Sequence, residues 1–307
     1  MTKDELYLAR VLFKLRVHES DGQAFQDLFV KVMQHANPNF RPIKPHGREG
    51  DQKNDGFDKA NGLYYQVYAP EDLAPNVYTA VSKLTDSFSG LKNYWDTQVS
   101  PIKEYFFVLN DKYKGTYPEI EKGLASLEQK HKEIKCNPFL TKDLEDVFIN
   151  LPKDKIIDII GIIPDPLKIE TVDYSIMNEI INYLHKTAVL YKIEKIPADP
   201  DFVKKLTFNR LSSRVAGLLD FGNHQNYVMD DYFKFRSNFV KAELREIFRT
   251  FYEAGVCSIP ENEDKPDMVF FYILDKASAN KTKAVQDAVL VLMSYYFEYC
   301  DIFEVPN

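Results

Sequence analysis

The chain has 307 residues, 45% of them hydrophobic and 28% charged, with 12 Gly and 16 Pro. That composition excludes collagen-like, disordered and disulfide-scaffold proteins and leaves material for two cores. The net charge of −7, with the larger acid excess in the second half, excludes a uniformly basic surface and makes the first half the place to look for a phosphate-binding channel.

In chain order, MTKDELYLARVLFKLRV carries charges throughout and has no apolar stretch of signal-peptide length. Phe25, Leu28, Phe29, Val32 and Met33 recur at helical spacing between Gly22 and His35, with Ser20 and Asp21 as candidate caps. A strand is expected at about Phe40 to Ile43. The polar segment PHGREGDQKNDGF and the run LYYQVYA then predict a hairpin, with Asp55-Gly56-Phe57 ending one strand and Tyr64 to Tyr68 forming the other. Val77, Val81, Leu84, Phe88, Leu91 and Trp95 mark a long helix with one buried face. Lys103 to Leu109 reads as a buried strand, Pro118 to His131 as a helix and Ile134 to Leu140 as a last strand.

This order predicts an α/β N-terminal domain over residues 1–165, a mixed sheet flanked by helices on both faces. The proline-bearing PKDKIIDIIGIIPDPLKIE leads into a mostly α-helical C-terminal domain over residues 166–307, whose single candidate strand is DMVFFYIL, Asp267 to Leu274. Cys136, Cys257 and Cys300 are widely spaced and fit neither a disulfide framework nor a zinc site, which points to a reducing cytoplasm. No stretch approaches the roughly 18 apolar residues of a membrane span, so a cytoplasmic protein without membrane contact is expected.

The stretch from Gly47 to Pro70 carries the chemistry. Asp55 and Gln66, 11 residues apart, come side by side on adjacent strands, and Tyr64, Gln66 and Tyr68 share one face of theirs. A carboxylate, an amide oxygen and a backbone carbonyl at a hairpin end are ligands suited to a hard cation, which activates water and stabilises a leaving oxygen. Arg48 and Lys53 in the glycine-bearing loop are candidate phosphate contacts. His46 lacks the His or Cys partners of a zinc site. In the second domain Lys241, Arg245 and Arg249 recur every four residues, a stripe read first as a solvated, ion-paired helix face.

A helix, then an Asp-bearing hairpin whose second strand holds a polar-x-polar tripeptide, resembles the PD-(D/E)XK nuclease superfamily, the restriction-endonuclease-like fold. The resemblance assigns the motif's Asp to Asp55 and its Glu or Gln to Gln66. Tyr68 stands in the place of Lys, and Gln26 stands where the helix Glu is expected. It implies a Mg2+ or Mn2+ cofactor, weakly bound, with Asp51 as a second carboxylate, Glu19 in support, and Lys83 from the next helix replacing the missing lysine.

A further resemblance spans nearly the whole chain. The strings FQDLFVKVMQ, PHGREGDQKNDGF, YYQVYAPEDL, FVLNDKYKG, KLTFNRLSSRVAGLL and DDYFKF are similar to proteins of bacterial three-component defence systems, in which an ABC-type ATPase joins a middle component and an effector with a shared C-terminal domain. It implies a DNA endonuclease effector acting against phage or foreign DNA, with DNA, the ATPase and the middle component as partners and self-association into a homo-oligomer left open. The alternative is a nuclease fold that no longer cuts and serves as a DNA-binding or assembly subunit.

Overall fold

A computed structural model describes residues 1–45, 50–165, 171–187, 202–234, 238–299 and 302–306. The chain forms two compact units, Arg16–Ile159 and a second built from Met1–Leu15 with Ile160–Asn307. Helix α1 (Lys3–Glu19) opens with a reciprocal cap, Thr2 Oγ1 accepting from the Glu5 N–H at 3.1 Å and Glu5 Oε2 from the Thr2 N–H at 2.9 Å. The first residues of the chain therefore cluster with the C-terminal part, through Leu8, Val11 and Leu15 in its core.

The first unit continues with α2 (Gln23–Ala36), β1 (Phe40–Pro42), β2 (Gly56–Asp58), β3 (Leu63–Tyr68), α3 (Val77–Leu91), β4 (Glu104–Leu109), α4 (Pro118–Lys130), β5 (Lys135–Phe139), α5 (Thr141–Ile149) and α6 (Lys153–Ile160). Its five strands lie in the order β1-β2-β3-β4-β5, antiparallel up to β3 and parallel from β3 to β5. This is the mixed sheet expected. One face packs Phe57, Tyr64, Tyr105 and Phe107 against Leu84 and Phe88 of α3 and Leu124 of α4. On the other, Phe29 of α2 meets Phe40, Tyr65 and Phe139 edge-on or tilted, and Tyr65 stacks on Phe106 at 5.0 Å. The period of two thus gives β3 two apolar faces over Tyr64 and Tyr65, and polar character begins only at Gln66.

Ser20 and Asp21 do not cap α2. Its N-cap is Gly22 at φ +51°, whose N–H donates to Ala69 O at 2.6 Å, while Asp21 pairs with Lys112 at 2.8 Å. The glycine of the Asp55-Gly56 pair serves close packing rather than a turn: a Cβ there would lie 2.3 Å from the Phe40 ring. Because Phe40 is itself buried against Phe29 and Tyr65, Gly56→Ala is expected to cost about 1–3 kcal/mol of overpacking. Thermal melting of the purified variant checks this.

The second unit holds α7 (Tyr174–Thr187), α8 (Phe202–Phe208), α9 (Ser213–Asn223), α10 (Asn226–Lys234), α11 (Asn238–Ser258), α12 (Lys265–Ala277) and α13 (Lys283–Glu298). Asp267 to Leu274 is helical, not a strand. Pro266 sits in the first turn of α12, and Met268, Val269, Phe270, Phe271, Ile273 and Leu274 are all buried. A helix buried on every side loses the 3.6-residue stripe by which helices are recognised, so its sequence mimics a core strand. Among the described residues no helix is long and apolar enough to cross a membrane.

Candidate functional site

Asp55 directly precedes β2 and is 3% exposed. Its backbone is fixed as strand-like, the N–H donating to Tyr65 O at 3.0 Å and the carbonyl accepting from Ile43 N–H at 3.2 Å. Its side chain is held from three directions. Oδ1 accepts from Gln26 Nε2 of α2 at 2.7 Å, and Oδ2 accepts from Gln66 Nε2 at 2.5 Å and from the Val67 N–H of β3 at 2.6 Å. Gln66 is equally buried, and its Oε1 has no hydrogen-bond partner. A buried acceptor left unpaired costs free energy, on the order of 1–3 kcal/mol, unless a ligand or water completes it.

Two buried carboxylates of this hairpin titrate in opposite directions. Asp58, at the far end of β2, also suffers desolvation, but donors from Asn37 and Asn61 outweigh it and hold its pKa below the ordinary range. Burial dominates at Asp55, and the nearby Asp51 carboxylate adds to it, against the Val67 N–H, the Lys83 ammonium and Gln66. The result is a pKa of about 6 against an ordinary 3.8. Asp58 fastens the turn, whereas Asp55 is a carboxylate tuned toward neutrality.

The raised pKa makes Asp55 a liability at neutral pH. Below about pH 4 it is protonated in both folded and unfolded chains and adds nothing. As the pH rises through 6 its ionisation inside the fold costs on the order of 3 kcal/mol, the free-energy equivalent of a pKa moved from 3.8 to about 6. In EDTA, the melting temperature of Asp55→Asn relative to wild type is expected to climb between pH 4 and pH 6.5 and then level off. A pH-independent difference between the two would contradict it.

Lys83 projects from α3 with its Nζ 5.3 Å from the centroid of the Tyr68 ring, close enough to act on Asp55 electrostatically. Tyr68 stacks on Phe107 at 6.0 Å, and partial burial raises its hydroxyl pKa, so it stays neutral. Asp51 lies in the loop before β2, where its Oδ1 accepts from the Lys53 N–H at 2.8 Å. Lys53 is exposed, and its stem lies against Gly90 of α3. Glu19 stays exposed at the last residue of α1. Arg48, His46 and Cys300 lie outside the described residues.

Sequence reading missed Asn54, 0% exposed, whose Oδ1 accepts from the Gly56 N–H at 3.1 Å while its Nδ2 has no partner. It also missed the Val67 N–H, since a backbone donor leaves no trace in residue type. Among the described residues no three His, Cys, Asp or Glu side chains are grouped to hold a metal ion. The oxygens that could hold a cation here are a mixed set: Asp55, Asp51 and the unpaired Gln66 Oε1. Hard cations accept amide and carbonyl oxygens, so the residues present fit Mg2+ or Mn2+ held weakly.

The basic stripe of the second unit is engaged within its own fold. Lys241 Nζ donates to Tyr295 Oη at 2.5 Å and lies over the Tyr295 and Tyr299 rings at 4.8 and 4.7 Å, and Arg249 pairs with Glu253 at 3.1 Å. Lys205, fully buried, donates to the carbonyls of Phe297 and Ile302 at 2.7 Å each.

The molecule therefore joins a unit with a mixed sheet, bearing the buried Asp55 carboxylate at its hairpin, to a unit made of helices. Residues 176–304 match the family model described as C-terminal domain 10 of the ABC-three component (ABC-3C) systems, so that helical part of the chain is similar to this class of domain. No curated protein and no solved structure matched the chain.

Proposed function

We propose that this chain is a DNA-cutting effector of an ABC-three-component defence system, with a metal-dependent phosphodiester hydrolase built on the Asp55–Gln66 hairpin and a helical domain that engages the system's other components. The observation that carries the reading is the meeting of three groups: the buried Asp55, the unpaired Gln66 Oε1 and the Lys83 ammonium. Asp55, Gln66 and Asp51 would hold a Mg2+ or Mn2+ ion, which supplies charge neutralisation and an activated water. Lys83, whose charge acts on the carboxylate, takes the role of the lysine that the hairpin lacks, as proton donor and phosphate contact. Tyr68 carries it as an aromatic platform. Lys53, beside Asp51, provides a phosphate contact at the mouth of the loop, and Arg48 is proposed with it on sequence grounds alone. Gln26 donates to Asp55 Oδ1 and so fixes the orientation of the carboxylate.

The match of residues 176–304 to an ABC-3C C-terminal domain supports the partner half of this reading. By that reading an ABC-type ATPase and a middle component dock on the helical unit and license cutting. The test is incubation of supercoiled plasmid with Mg2+ or Mn2+, with and without the ATPase and middle component. Nicked or linear product that needs the cation and disappears with EDTA is expected.

A second reading has its own observation. Both Asp55 oxygens already accept N–H donors, three in all, and Tyr68 stands where the superfamily motif has Lys. A site so satisfied fits a DNA-binding or assembly subunit that does not cut. Salt-sensitive DNA binding without cleavage under any cation or partner condition would establish it in place of the first.

A further inference from the structure

We propose that Trp95 is a positioning residue for the candidate cation site: its indole N–H locks the loop that carries Asp51 and leads into Asp55. The inference rests on the metal-dependent reading above for its functional half and on geometry alone for its structural half.

The loop is strained. Gly50, Gln52 and Lys53 have φ of +65°, +54° and +63°, and a residue with a side chain enters that left-handed region at a cost of about 1–2 kcal/mol. Two such side-chain-bearing residues in succession persist only when their surroundings hold them. Within the loop the Lys53 N–H is held by Asp51 Oδ1 at 2.8 Å and the Asn54 N–H by Asp51 O at 3.3 Å. From outside, Trp95 Nε1 donates to Gln52 O at 3.1 Å, a span of 43 residues.

Trp95 is well built for the task. The helix α3 runs on into one π-helical turn, Lys92–Asp96, a local irregularity that re-aims the side chains it carries. The Trp95 carbonyl is then fixed by the N–H groups of Val99 and Ser100, both at 3.0 Å, and Asp96 Oδ1 accepts from the Ile102 N–H at 2.8 Å. Its ring packs on Phe57 at 5.0 Å and Tyr64 at 6.2 Å, residues of β2 and β3. The indole is thus rigid against the strands that hold Asp55 and Gln66, and it transmits that rigidity to Asp51, the ligand candidate carried by the loop. The gain is preorganisation: a carboxylate held near Asp55 before the cation arrives binds it without a further entropic cost of ordering the loop.

Three measurements on the full chain decide the matter. Hydrogen exchange in EDTA compares wild type with Trp95→Phe, which keeps a ring and removes the N–H. Peptides covering residues 50–55 are expected to exchange roughly three- to tenfold faster in the variant, the scale of one net hydrogen bond, while those of α4 and β5 do not change. Calorimetry with Mn2+ is expected to show an affinity lower by a similar factor in Trp95→Phe. In wild type, residues 50–55 are expected to exchange slowly already in EDTA and to change little when Mn2+ is added to saturation, which keeps the test open if the variant does not fold.

Unchanged exchange over residues 50–55 would overturn the locking contact. Faster exchange with unchanged Mn2+ affinity, or exchange over residues 50–55 of wild type that slows only when Mn2+ binds, would overturn its service to the site. Absence of Mn2+ binding to wild type removes the metal reading of the hairpin, a failure separate from the first because the exchange comparison is made without metal.

Discussion

Asp55→Asn is expected to abolish plasmid cleavage, with a loss of at least roughly 10³-fold. A catalytic cation contributes several kcal/mol to the transition state, and about 4 kcal/mol is three decades in rate. Asp55 is a buried carboxylate, with donors from both α2 and β3 fixing its two oxygens. Asn is the variant of choice because Ala would leave the Gln26 and Gln66 amides and the Val67 N–H without their acceptor, a destabilisation that would confuse loss of chemistry with loss of fold. Asn keeps the volume and one acceptor, and it removes a charge that burial makes costly at neutral pH. The expected pattern is therefore an inactive protein at least as stable as wild type at pH 7.5, with Mn2+ binding lost by calorimetry. Cleavage within tenfold of wild type in a folded Asp55→Asn would refute the hydrolase assignment.

Lys83→Ala is expected to lower cleavage by about 10²-fold, the scale of losing one positioned proton donor, with little change in melting temperature because the side chain is exposed. The control is Lys122→Ala, an exposed lysine of α4, which removes the same charge elsewhere and is expected to leave the rate nearly unaltered. Equal losses from the two would mean that general attraction for DNA, not position, is being measured. Tyr68 separates further possibilities, since Lys83 Nζ lies over its ring. Tyr68→Phe preserves the platform and is expected to retain most activity, whereas Tyr68→Ala removes a cation–π contact of about 0.5–1 kcal/mol and is expected to fall toward Lys83→Ala. A large loss in Tyr68→Phe would assign the hydroxyl itself a chemical part.

Legibility in the sequence followed the range of the interactions involved. The strands and helices of the first unit announce themselves because each buries one or both faces and keeps its period: α2 by Phe25, Phe29, Val32 and Met33, and β3 by aromatic residues on alternate sides. The pairing of Asp55 with Gln66 was also legible, since a hairpin makes neighbours of residues close in the chain, and the register that sets Gly56 opposite Tyr65 delivers it. Helix α12 was not, because burial on all sides erases the stripe that tells helix from strand.

What only the tertiary structure decided lies in contacts between distant segments and in backbone groups. Gln26 reaches Asp55 across 29 residues, Trp95 reaches Gln52 across 43, and Lys14 reaches Asp264 across 250. Composition and spacing carry no record of such meetings. The raised pKa of Asp55 and the lowered one of Asp58 belong to the same class: two aspartates three residues apart in one hairpin differ through what folds around each. By itself the sequence determined the apolar faces of the first unit's helices and strands and which hairpin had to form. The packing of α2 and α3 around that hairpin decided which polar groups share it, because desolvation and hydrogen bonding depend on neighbours brought in by the whole unit.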